Sequence, residues 1–430
     1  MCARVGVQLS QDAVISRNAF RATLVVNNDG NDALTDIAVS LTILSPSGTQ
    51  STFNFSGVNT PTVSGELTAV NGTGILPAST SGSAQWTLIP FDQAAPNAPV
   101  VYGFGGTLTY TTSQGTLNVP LNPVYLTVYP NPKLRARYFW ERDVYADDPL
   151  TLDEQEPVRP FSVGLMLSNV GAGVANNVRF TSAQPVITRN DRELLIDFQL
   201  LGSQAQCSQV SPSLTFNLGD LPGGTTRVAR WLMTSSLSGH FENYQVSMQH
   251  IDGLGDPRLS LFEEPLEPPH ELIRAVRSQE NGADCAPDFL VSDLSPFTTP
   301  PDPFELENDP ERLHLPDRVY LSETGNFEPV TPVFGASVTP QPQLRAIINA
   351  AVPSTGWFYI KVPDPGQAAY QLISLTRSDG RQIEVGTNAW QTDRVFRDND
   401  LVPLRLNRLH IFDKGGSGNY TAVYALAGGP

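Results

Sequence analysis

Apolar and polar residues alternate with a period of two in the clearest segments of this 430-residue chain: "FRATLVVNN", "DIAVSLTIL", "GTLTYTT", "FSVGLMLSN" and "NYQVSMQH". Such a period places alternate side chains on opposite faces of a strand, so each segment predicts a half-buried β-strand. Gly, Asn, Asp or Pro bound each of them and turn the chain. Helix signals are nearly absent, and "PQLRAIINAAV" reads as a strand entering the last domain. The strand spacing predicts an all-β protein: tandem immunoglobulin-like β-sandwiches plus a third small β-sandwich domain, joined by Pro-rich segments.

The pattern also repeats. At an offset of 141, Phe20 falls on Phe161, Leu24 on Leu165, Asn28 on Asn169, Gly30 on Gly171, Asp36 on Asn177 and Ile37 on Val178. At an offset of 145, Leu76 falls on Leu221, Pro77 on Pro222, Ala84 on Ala229 and Trp86 on Trp231. Each copy reads as a strand ending in an Asn-x-Gly turn, then a Leu-Pro turn leading into a strand anchored by tryptophan. The run from Phe20 through Ile37 resembles the CARDB/APHP type of immunoglobulin-like module, which occurs in tandem in large bacterial and archaeal cell-surface proteins. That resemblance implies an adhesive, spacer or surface-layer role and brings no catalytic residues with it.

The domain organisation follows from the repeat. Residues 1–130 and 131–262 are the two sandwiches, with "NPKLRARYFW" the first strand of the second. Residues 263–337 are Pro-rich and acidic and read as linker or interface, because proline interrupts strand ladders. Within this stretch "DFLVSDL" is expected to pack on a neighbouring domain. Residues 338–430 read as a fibronectin-III-like or jelly-roll-like domain with Trp357 and Trp390 as core anchors and a hairpin turn at Asp379-Gly380.

Charge narrows the partners. The formal net charge is −16, with only 16% of residues charged. Such a surface repels nucleic acid and anionic membranes. No stretch approaches the length needed for membrane insertion. "MCARVGVQLS" alternates like a strand and lacks the apolar run of a signal peptide. This favours an excised or processed segment of an extracellular or cell-surface protein over a cytosolic one. Of the three cysteines, Cys2, Cys207 and Cys285, the last two sit in polar loop sequence. They are either a disulfide in an oxidising compartment or two unrelated thiols.

The chemistry is sparse. "PHELIR" carries His270 and Glu271 as in the HExxH zinc motif, but Arg274 stands where the second histidine belongs, and an arginine cannot ligate a cation. It reads as a strand with Glu271 and Arg274 at a surface. Calcium is the stronger candidate ion, with Asp252 and Asp256 in "HIDGLGDP", Asp147, Asp148, Asp153 and Glu154 in "VYADDPLTLDE", and Asp398 and Asp400 in "RDND". Turn-forming aspartates account for the same loops. No nucleophile elbow or phosphate loop occurs, so no catalytic residue is assigned. The sequons at Asn54, Asn71 and Asn419 matter only in a glycosylating host. The leading expectation is a non-enzymatic surface protein that contacts other copies of itself or neighbouring modules. The alternative is a surface module that binds glycan or another ligand, using Tyr145, Phe297 and Trp390 with Asp398.

Overall fold

A computed structural model describes residues 3–141, 143–147, 158–180, 196–237, 239–240, 261–263, 267–278, 285–293, 315–367, 369–396 and 404–426. The protein is all-β, and the described residues contain no helix beyond two single turns at Thr52–Asn54 and Asp92–Ala94. Among the described residues, no helix is long and apolar enough to cross a membrane.

The first unit is a sandwich of two five-stranded sheets. Strand Phe20–Asn28 lies between Ala3–Leu9 and Thr80–Pro90 in one sheet. Strand Val100–Thr112 lies between Leu34–Leu44 and Gly115–Tyr129 in the other. Phe20, Phe55, Tyr102 and Phe104 meet edge to face between the sheets, the arrangement that the ring quadrupoles favour. Asn54 is buried and donates to the Tyr102 hydroxyl, so its sequon is not a surface acceptor.

The second unit reproduces this plan. Strand Phe161–Asn169 lies between Leu134–Glu141 and Thr226–Ser235. Leu24 and Leu165, Leu76 and Leu221, and Ala84 and Ala229 are all fully buried, and Trp86 and Trp231 anchor their cores. The repeat reaches the backbone: Asp36 and Asn177 both hold a positive φ (52° and 51°), as do Ser79 and Gly224 (56° and 74°).

The asparagine of each copy ties the two halves of the motif together. The Asn28 Oδ1 accepts from the Gly30 amide at 3.1 Å, and its Nδ2 donates to Pro77 O at 2.9 Å and to Leu76 O at 3.3 Å. Asn169 does the same, accepting from Gly171 N at 3.1 Å and donating to Leu221 O at 2.8 Å. The Asn-x-Gly turn and the Leu-Pro turn are therefore one hydrogen-bonded corner. That is why both signatures recur together about 50 residues apart.

The segment between the second and third units is not a simple connector. It contributes strands His270–Val276, Asp288–Val291, Arg318–Tyr320 and Phe327–Val333. They complete one eleven-stranded sheet running from Phe198–Ala205 in the second unit to Ala389–Phe396 in the third. Proline is tolerated because each half of Phe327–Val333 pairs on one side only. Phe327–Pro329 pairs with Arg318–Tyr320, and Val330–Val333 with Trp357–Ile360. As expected, the apolar piece Asp288–Val291 packs on its neighbours, and it is buried throughout.

The bridging strands cover the back of the second unit. In Phe161–Asn169, read as half-exposed from its alternation, every residue is buried. Phe161, Val163, Leu165 and Leu167 face the sandwich core. Met166 faces a second cluster with Phe139, Phe289 and Tyr320. A Cβ on Gly164 would lie 2.5 Å from the Phe289 ring, so the small residue makes room for Phe289 and does not mark a solvent face.

The third unit packs Ser337–Gln341, Arg345–Asn349, Asn419–Leu426, Tyr370–Arg377 and Gln382–Ile383 over the end of the long sheet. The hairpin turn at Asp379-Gly380 forms, with Gly380 at a φ of 94°. Trp357 and Trp390 are buried, but they do not anchor this unit's own core. They pack with Tyr359 and Phe412 against Val276, Leu290 and Val319 of the bridging strands.

Candidate functional site

A cavity of about 440 Å³ opens where the second unit, the bridging strands and the third unit meet. Glu141 enters from the end of Leu134–Glu141, Arg230 from Thr226–Ser235, and Arg274 from His270–Val276. Arg277 follows on the same chain segment, and Arg159 precedes strand Phe161–Asn169. The turn at Gly386-Thr387 closes the far side.

The strand period explains the inward aim of Arg230. In "TRVARWLMTS", Ala229 and Trp231 face the sandwich core, so Arg230 between them projects to the opposite face. Its Nε donates to Gln204 Oε1 at 2.8 Å. The Arg274 Nη2 donates to Gly386 O at 2.6 Å, and the guanidinium sits 5.6 Å from the Trp390 ring centre. Arg277 pairs with Glu384 at 3.1 Å, while its backbone exchanges two hydrogen bonds with the Asn388 amide. These contacts place the Arg274 side chain in the cavity wall, half-buried between the second and third units.

The electrostatics are unfavourable for cations. Loss of water, then the neighbouring Arg274 charge, pulls Arg230 below the usual guanidinium value against the opposing pull of Glu141. Loss of water also lowers Arg274, with Glu141 opposing and Arg159 adding to the shift. Burial pushes Glu141 up to about 7, although Arg274, Ser162 and Arg230 favour its charged form.

A disulfide between Cys207 and Cys285 lies at the rim, with the two Cα atoms 4.9 Å apart. It links the turn after Phe198–Ala205 to the start of Asp288–Val291, closing 78 residues of chain. A loop of that length stabilises by about 4.5 kcal/mol in the chain-entropy account.

The histidine of "PHELIR" has a structural post beside this junction. His270 Nδ1 bonds Asp293 Oδ2 at 2.8 Å, and Nε2 faces Glu267 Oε2 at the ion-pair distance of 3.6 Å. Glu267 also accepts two hydrogen bonds from Arg137, at 2.6 and 3.0 Å. Burial opposes the imidazolium, but the Asp293 and Glu267 carboxylates outweigh it and raise the His270 pKa. The His270 bond, then Arg137, brings Glu267 down to about 2 against burial.

The native state therefore holds the His270 proton more tightly than the unfolded chain. Its stabilisation is complete below about pH 6.5 and fades as pH rises through the folded value. Glu267 acts oppositely: its share is complete above about pH 4.5 and is lost as pH falls toward about 2. We expect His270→Gln to cost most near pH 5–6 and progressively less toward pH 8. Urea midpoints of both proteins across that range check this, and a gap that widens with pH would contradict it.

The calcium candidates divide. Asp147 is half-exposed and bridges to Leu237, while Asp148, Asp153, Glu154, Asp252, Asp256, Asp398 and Asp400 lie outside the described residues. Among the described residues, no three His, Cys, Asp or Glu side chains gather around a point that could hold a metal ion. Of the aromatic platforms, Trp390 is buried and stacked on His410 at 4.9 Å, so it is unavailable to a glycan. Tyr145 is half-buried, and Phe297 lies outside the described residues.

No protein-family model matches the chain, and no curated protein matches it. Solved structures give remote likenesses. The major pilin subunit BcpA of Bacillus cereus is 6% identical over 40% of this chain and 60% of the pilin, with a TM-score of 0.19. The YadV chaperone is 10% identical over 52% of this chain and 84% of the chaperone, at 0.16. The secreted serine protease VesC of Vibrio cholerae is 10% identical over 55% of this chain and 50% of the protease, at 0.15. Likenesses of this size carry no argument about function.

Proposed function

We propose that this chain is a non-enzymatic structural protein of the extracellular space or cell surface, and that copies of it join through strand addition. One observation carries the reading. In the second unit, strand Leu134–Glu141 takes His270–Val276 as a parallel partner on its outer edge, through Phe139–Glu141. The corresponding strand of the first unit, Ala3–Leu9, pairs with Phe20–Asn28 alone among the described strands. Among the described residues, the same module thus has an edge that is filled in one copy and open in the other. An open edge offers a row of backbone donors and acceptors to a strand from another molecule. The disulfide supports an oxidising compartment.

Lysine on an edge strand opposes strand addition. Gly6 and Gln8 are exposed on Ala3–Leu9, and a Cβ at Gly6 meets nothing within 4 Å. Gly6→Lys with Gln8→Lys is expected to abolish association while leaving the melting temperature unchanged. Light scattering and electron microscopy of both proteins decide the matter. A wild-type chain that stays monomeric at all concentrations would remove assembly and leave a spacer role.

A further inference from the structure

We propose that the arginine-lined cavity at the junction of the second unit, the bridging strands and the third unit binds a small organic polycarboxylate. This does not depend on the assembly reading, because the cavity is lined by strands of the long sheet and the Ala3–Leu9 edge belongs to a separate sheet of the first unit.

The argument rests on charge, geometry and size. Arg159, Arg230, Arg274 and Arg277 line the cavity in a chain whose net charge is −16. Among the described lining and rim residues the opposing carboxylates are Glu141 and Glu384. The surplus is two positive charges, or three when Glu141 holds its proton. Like charges at close quarters in a desolvated wall are costly, and nothing in the sandwich plan requires them. The matching position of the first unit shows as much: Arg230 falls on Gln85 at the offset of 145, and Gln85 bonds Thr23 without any arginine cluster.

The guanidiniums are also partly committed in a useful way. Arg230 is oriented through Nε and Arg274 through one Nη, which leaves further N–H groups of each fork for a ligand. Arg159 has no side-chain acceptor among the described residues. Planar forks of this kind match carboxylates in bidentate geometry. The 440 Å³ volume lies within the range of about 300–1,000 Å³ typical of small-molecule sites. An inorganic oxyanion, comparable to a few waters, would fill a fraction of it. Two or three carboxylates on a short carbon skeleton meet both the charge surplus and the volume.

Calorimetric titration of the disulfide-bonded full chain with citrate, at fixed ionic strength and pH 7, tests this. We expect saturable binding of one citrate per chain, with acetate and sulfate at least about tenfold weaker. Arg159→Gln should keep or slightly raise the unliganded melting temperature, because its guanidinium has no side-chain acceptor among the described residues and its charge opposes that of Arg274. It should weaken citrate at least about tenfold, the loss of one charge-assisted hydrogen bond. Arg345→Gln, on the exposed face of the third unit, should bind as the wild type does. Absence of saturable citrate binding, or equal citrate affinity in Arg159→Gln, would overturn the assignment. So would sulfate binding as tightly as citrate, which marks a simple anion hole. An Asp-Glu tetrapeptide binding tenfold more tightly than citrate would overturn it in favour of an acidic protein partner.

Discussion

Phe289→Ala is expected to destabilise the protein by about 3–5 kcal/mol and to separate the unfolding of the second and third units. Phe289 is fully buried and stacks on Phe139 with ring centres 4.3 Å apart. It fills the space left by Gly164 and packs with Met166, Val228 and Tyr320. Its neighbour Leu290 faces the other way, into the cluster with Trp357, Trp390 and Phe412. One short strand thus plugs two cores on opposite faces, and its backbone continues the sheet between them. Removing the ring leaves a cavity whose walls, Phe139 and Gly164, belong to paired strands that cannot collapse freely. Calorimetry with the disulfide intact should resolve two transitions where the wild type has a more cooperative one. A single transition with a midpoint shift worth less than about 0.5 kcal/mol would show that Phe289 does not couple the units.

Asp413→Asn carries the second large effect, inside the third unit. Asp413 is completely buried and accepts from Arg377 at 2.8 Å and from the Tyr420 hydroxyl at 2.9 Å, with Arg381 at 3.3 Å. Burial, then the Asp413 charge, raises the Tyr420 pKa, so the phenol stays a donor. Arg377 is also held by Asp379, whose hydrogen bonds are the leading cause of its raised pKa. Without the Asp413 charge, the Arg377 guanidinium remains in the interior with its inner partner neutralised. Breaking a buried pair from one side typically costs about 3–5 kcal/mol. Adding Arg377→Met to Asp413→Asn should cost much less than Arg377→Met alone, because the two groups share one interaction. Chemical denaturation of the four proteins measures the coupling, and additive losses would refute it.

Both sites show how far local pattern reaches. The period-two alternation, the Asn-x-Gly and Leu-Pro turns and the paired tryptophans are written in short stretches. The all-β class and the internal repeat were therefore legible, down to the buried roles of Trp86 and Trp231. The prolines of the 263–337 stretch misled, because proline forbids a ladder hydrogen bond only where its missing N–H faces a partner strand. Whether it does is decided by which strand lies on which side, and Pro329 and Pro332 lie in half-strands paired on one side. The arginine cavity was invisible for a related reason. Glu141, Arg159, Arg230 and the pair Arg274 and Arg277 come from four separate places in the chain, with no spacing rule among them. One weak local signal existed: an arginine between Ala229 and Trp231, in the middle of a predicted core strand.

The sequence by itself determined the strands of the two repeated units, the repeat and the Asn-x-Gly and Leu-Pro turns of each copy, since those are written in short, patterned stretches. The tertiary structure alone decided that the long sheet runs on through the bridging strands. It alone turned the back of Phe161–Asn169 into a second core, with Gly164 beneath Phe289, and aimed four arginines at one cavity. Alternation states which residues share a face of a strand, but not what covers that face. Here the cover comes from residues more than a hundred positions away.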